Sequence, residues 1–81
     1  MELKDTVALM ESDDYKERFR GEYYQTKIRK EKLDAMLKKW DRGELEFNPT
    51  CPREMYDDQI AGMSAYLNVL EKRAAIENVE L

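Results

Sequence analysis

Leu3, Val7 and Met10 recur at i, i+4 and i+7, the spacing of one helix face, and predict a short helix over about residues 2–11. Ser12-Asp13-Asp14 interrupt it with three short polar side chains suited to satisfying the free amides of a new helix. Asp14 and Glu17 have the three-residue spacing of a capping box. A second stripe then runs through Phe19, Tyr23, Thr26, Leu33, Leu37 and Trp40, with Ile28 and Met36 beside it. No proline falls in this stretch and Gly21 is its one glycine, so a helix over about 15–41, about 40 Å long, is predicted. Lys38 and Lys39 favour the negative end of its dipole, and Gly43 supplies a left-handed cap. The stretch 43–51 ends in Asn48-Pro49 and reads as an ordered loop, with Leu45 and Phe47 expected to tuck under the helices. Pro52 suits a first helical turn, with Thr50 or Cys51 as the cap. Met55, Tyr56, Ile60, Met63, Leu67, Leu70 and Ala74 make a third stripe, over about 52–78.

The expected fold is therefore all-α. A short N-terminal helix precedes an antiparallel hairpin of two long helices, in one domain spanning 1–81. Two helices have little interior, and Trp40, Phe47, the methionines and five tyrosines are a large apolar load for one hairpin. A homo-oligomer is the expected way to bury it. Composition narrows the chemistry further. The chain has one cysteine, Cys51, and no histidine, so an internal disulfide, a Cys/His zinc cluster and a histidine general base all lack their residues. Binding is favoured over catalysis, and no cofactor or metal site is expected. No basic leader precedes a long apolar run, which favours a cytoplasmic protein that does not enter membranes.

The net charge of −4 argues against general nucleic-acid binding, yet it is unevenly spread. Residues 1–14 carry −4, residues 15–39 carry +5 and residues 40–81 carry −5. Pairing between neighbouring helices explains such a split, and so does an anion site on the basic helix. Two clusters suit a ligand. Tyr24 and Lys27 share a face that Lys30 and Glu31 continue, so a ring and two cations lie together. Gln59, Tyr66 and Arg73 are seven apart on the third helix, where an amide, an aromatic ring and a guanidinium form a line. Each has a plainer reading: a solvated face for the first cluster, and for the second a core Tyr66 with its hydroxyl at the rim, a register-setting Gln59 and an Arg73–Glu77 pair.

Several segments resemble a known family: Asp14-Tyr15-Lys16-Glu17-Arg18-Phe19, Glu22 to Arg29 with Lys32-Leu33, Cys51-Pro52-Arg53-Glu54, and the set Gln59, Met63, Tyr66, Leu70, Glu71 and Arg73. Together they resemble small helical-hairpin proteins of tailed phages and prophages, a family named after a crAss-like phage protein. The closing stretch with Gln59, Met63, Tyr66 and Arg73 is also distantly similar to helical phage proteins that counter CBASS immunity by sequestering cyclic oligonucleotides, and more loosely to the hairpin shared with Thoeris-inhibiting sponges. The resemblance implies stoichiometric capture of a cyclic nucleotide signal in a bacterial host. Tyr24 and Tyr66 would stack on bases, Lys27, Lys30 and Arg73 would hold phosphates, and Gln59 would bond a base or ribose. The alternatives are a helical module that binds a host protein and a structural or regulatory phage protein that self-assembles.

Overall fold

The computed structural model describes residues 1–81 and is all-α. A 3-10 turn, Leu3–Asp5, leads into α1, Thr6–Met10. The two long helices are α2, Tyr15–Asp41, and α3, Arg53–Glu77. They run antiparallel: Tyr15 meets Glu77, Tyr23 meets Glu71, and Asp41 meets Arg53. α2 lies in the middle, with α1 on one side and α3 on the other, and α1 and α3 do not pack against each other.

The hairpin closes along two stripes with alternating three- and four-residue steps, the spacing of a coiled-coil seam. On α3 these are Arg53, Tyr56, Ile60, Met63, Leu67, Leu70 and Ala74. On α2 they are Phe19, Tyr23, Thr26, Lys30, Leu33, Leu37 and Trp40. The densest packing joins Phe19, Tyr23, Leu67, Leu70, Ala74 and Val79. Thr26 is buried in this stripe, and its hydroxyl donates to the Glu22 carbonyl at 3.0 Å, so its polar atom is satisfied within its own helix.

The helix ends explain much of the charge. Asn78 takes the left-handed conformation that closes α3, and Val79 folds back into the core while its amide donates to the Ala74 carbonyl. Lys16 Nζ donates to the Asn78 carbonyl at 2.9 Å and Arg20 Nε to the Glu80 carbonyl at 2.6 Å, so basic residues of α2 hold the negative end of α3. Gly43 has φ +71° and turns the chain out of α2, as its cap position required.

Three local expectations are corrected. Phe47 is 56% exposed rather than tucked, because the aromatic contact at this end of the hairpin is made between the helices themselves, Trp40 of α2 edge-on to Tyr56 of α3 with centroids 5.9 Å apart. The N-cap of α3 is Pro52, with neither Thr50 nor Cys51 capping; its extended backbone sets the entry without a side-chain bond. At the start of α2 the Asp14 carboxylate accepts from the Lys16 amide, while Glu17 accepts from the Ser12 hydroxyl, so the polar cluster is satisfied in another pairing than a capping box.

Candidate functional site

The α2 stripe contains one charged residue, which a hydrophobic seam does not call for. Lys30 occupies the step between Thr26 and Leu33, half-buried, where an apolar side chain would pack. It lines a groove of about 230 Å³ between α2 and α3, together with Tyr23, Lys27, Ser64, Leu67 and Asn68. Glu31 and Glu71 complete the lining. Neither Lys27 nor Lys30 forms an ion pair, and the ion pairs that exist lie elsewhere. No cation of residues 15–39 pairs with an acid of α3; the one ion pair between the long helices runs the other way, from Arg53 to Asp41. Direct pairing therefore does not account for the basic block.

The acids of this groove are partly committed. Glu71 accepts the Tyr23 hydroxyl at 2.6 Å, leaving one carboxylate edge occupied. Burial, and then the hydrogen bond to Glu71, push the Tyr23 phenol up to about 12. A raised phenol pKa favours the folded state below the ordinary value of 10.0, and that advantage is lost as pH rises from there to about 12. Tyr23→Phe is expected to flatten this alkaline loss, measured as the fall in urea midpoint between about pH 9 and about pH 12 relative to wild type. An equal fall in both proteins would contradict the assignment. Lys27 lies over the Tyr23 ring, its Nζ 5.9 Å from the centroid, so the ring that closes the hairpin also orients one cation of the groove.

Of the six residues singled out in the sequence, Lys27 and Lys30 converge on this groove. Tyr24 sits one turn before Lys27, half-buried against the core, its ring edge-on to Tyr23 with centroids 5.1 Å apart. Gln59, Tyr66 and Arg73 do not join them. Ser64 and Asn68 mark the groove flank of α3, whereas these three lie on its other flank, about 140–180° away around the helix axis from Asn68. Tyr66 is 42% exposed, which removes the reading of it as a core residue. Arg73 is engaged within the chain. Its Nε donates to Glu77 at 2.8 Å, its Nη2 donates to the Tyr15 hydroxyl at 3.0 Å, and its guanidinium lies 5.2 Å from the Phe19 centroid. Tyr15 in turn donates to Glu77, and that bond, followed by the one from Arg73, holds the Glu77 carboxyl below its ordinary range.

Ser64 and Asn68 were not singled out in the sequence. Two uncharged polar residues four apart on a helix flank look like ordinary solvated positions until α2 places two ammonium groups opposite them. Chemically, the groove offers two cations one turn apart, a hydroxyl and an amide that can both donate and accept, and an aromatic wall. Such a set suits a phosphate-bearing ligand with adjoining polar groups.

Among known families, a family model described as Sequestin matches residues 13–76, which include α2 and nearly all of α3. No curated protein and no solved structure matches the chain.

Proposed function

The chain belongs to the Sequestin family, and from that premise we propose that it is a phage-encoded anti-defence protein that captures a cyclic nucleotide immune signal without catalysis. It would act in the cytoplasm of a bacterial host and as an assembly of like copies. Capture of a ligand follows the family's name; the nucleotide and the defence context are the reading that the groove and the resemblance favour.

The observation that carries this reading is Lys30. A lysine at a seam position, half-buried and without an acidic partner, costs packing that a leucine or methionine would recover. A ligand phosphate placed between Lys27 and Lys30 supplies the missing counter-charge. Ser64 and Asn68 would then reach the ribose or base edge, and Tyr24, one turn before Lys27 and outside the groove lining, would supply a ring to a ligand that extends beyond it. The groove is too small to enclose a whole cyclic oligonucleotide, so the reading is of a clamp on its phosphodiester edge.

Lys30→Met separates fold from function. It is expected to leave the protein as stable as wild type or more stable by about 0.5–2 kcal/mol, while removing the response to ligand. The measurement is thermal melting with cyclic di- and trinucleotides and cyclic ADP-ribose variants. At a ligand concentration about a hundred times Kd the wild type gains about 2.7 kcal/mol. Wild-type protein unmoved by every ligand of the panel at millimolar concentration would sink the proposal, and so would a Lys30→Met variant that responds as wild type does.

A further inference from the structure

α3 carries a second seam. Counting from Met55, the positions 55, 59, 62, 66, 69, 73 and 76 repeat the four- and three-residue steps of the core seam, one residue offset from it. Its apolar members are Met55, Gly62, Val69 and Ile76, and its polar members are the Gln59, Tyr66 and Arg73 of the line already described. All are exposed, Val69 at 52% and Ile76 at 84%, although the Arg73 guanidinium at one end reaches back to Tyr15 and Phe19 of α2. It extends over about 32 Å, three heptads of helix.

We infer that this face pairs with the same face of a second copy, α3 against α3 in antiparallel register about a two-fold axis near Ala65. Two independent features fix the partner and the register. The residues flanking the seam on its solvent side are Asp58, Ala65 and Lys72, seven apart. In an antiparallel pair these positions meet their own kind across the axis, so Asp58 faces the partner's Lys72, Lys72 faces the partner's Asp58, and Ala65 lies at the centre. Neither Asp58 nor Lys72 has an ion-pair partner within the chain, although Arg53, Lys38 and Arg73 all do. A parallel pair would set Asp58 against the partner's Met63 instead, leaving that carboxylate without a counter-charge, and only Lys72 would meet an acid, the partner's Glu77.

The second feature is Gly62. A mid-helix glycine weakens a helix relative to alanine, and here a Cβ would meet nothing within 4 Å, so the chain's own packing gives no reason for it. In the register set by Asp58 and Lys72, Tyr66 falls opposite the partner's Gly62, and Gly62 opposite the partner's Tyr66. The missing Cβ makes room for the ring. Gln59 falls opposite the partner's Val69, and Arg73 opposite the partner's Met55, whose thioether packs along the guanidinium stem. The line of Gln59, Tyr66 and Arg73 thus serves assembly, on the flank of α3 away from the Lys27–Lys30 groove. The inference rests on the self-association in the proposed function and not on its ligand.

The test is sedimentation equilibrium of the full chain, without nucleotide, at low ionic strength. Wild type is expected to form a dimer in the micromolar range. Asp58→Lys alone and Lys72→Asp alone each place like charges across the axis and should raise the dimer dissociation constant about tenfold or more. An equimolar mixture of the two single variants should recover a heterodimer, and the double variant Asp58→Lys with Lys72→Asp should recover the homodimer. Gly62→Ala, which the lone chain accommodates freely, should weaken the dimer. Circular dichroism confirms that each variant folds. A wild-type monomer at several hundred micromolar, or a dimer indifferent to all these changes, would overturn the inference. Because no ligand is present, a failed nucleotide screen leaves the result untouched.

Discussion

Replacing Leu70 by alanine is expected to remove about 2–5 kcal/mol of stability. Leu70 is 1% exposed and sits at the middle of the cluster formed by Phe19, Tyr23, Leu67, Ala74 and Val79. The truncation loses the transfer free energy of the deleted carbons, and the walls of the cavity collapse little because both flanks are tied down. On one side Tyr23 is fixed by its hydrogen bond to Glu71; on the other, Val79 is held by the hydrogen bond its N–H donates to the Ala74 carbonyl and by the one Arg20 donates to the Glu80 carbonyl. A domain of this length has a total stability of about 4–12 kcal/mol, so the loss is a large part of the whole. Urea unfolding followed by circular dichroism should show a midpoint shifted strongly down with little change in slope. Val7, 48% exposed on α1, is the control, and its alanine variant should fall within about 0.5 kcal/mol of wild type. Equal losses at the two positions would mean that the hairpin seam is not where the stability lies.

The same cluster shows why the fold was readable in the sequence. Phe19, Tyr23, Leu67, Leu70 and Ala74 repeat at helical spacing, proline is absent from both long stretches, and Gly43 with Pro49 and Pro52 breaks them in one place. Local pattern and tertiary packing point the same way, so an all-α chain with a hairpin order followed. The site was legible only in part. Tyr24, Lys27 and Lys30 share a helix face, and that much is periodicity. That Lys30 also falls in the core stripe becomes visible only once α3 is laid against it, because a lysine beside lysines reads as a solvated face. Gln59, Tyr66 and Arg73 form a line by their seven-residue spacing alone, but sequence spacing does not say which flank of α3 the core takes. The seam at Leu67 and Leu70 decides it, turning that line away from the groove. Phe47 was misplaced for a related reason: loop hydrophobicity has no direction until the neighbouring helix ends are known, and Trp40 had already filled the position against Tyr56 and Arg53.

Gly21→Ala is expected to destabilise the protein by about 1–3 kcal/mol, although alanine is the better helix former. At an open helical position the substitution gains about 1 kcal/mol, so the reversed sign is itself the observation of interest. Its cause is contact between main chains. A Cβ on Gly21 would lie 2.8 Å from the Met10 amide nitrogen and 3.1 Å from the Leu9 carbonyl carbon. The Met10 side chain, also at 2.8 Å, can turn aside, but the backbone of α1 can only move away from α2. Moving it uncovers Thr6, which is fully buried and spends its hydroxyl on the Leu3 carbonyl at 2.7 Å. The damage should be confined. α1 does not touch α3, and Gly21 lies about 200° around α2 from Tyr23, so the hairpin seam and the Lys27–Lys30 groove stay in place. Native-state hydrogen exchange should therefore show protection falling across residues 6–10 while the amides around Leu67 and Leu70 keep theirs up to the global limit. The internal control is Gly62→Ala at a dilution where only single copies are present, expected to stabilise by about 1 kcal/mol because nothing meets its Cβ. Two glycines in two long helices are thus expected to respond in opposite directions to one methyl group. A stabilised Gly21→Ala, with exchange at residues 6–10 unchanged, would show that α1 is not seated on α2 at this close approach.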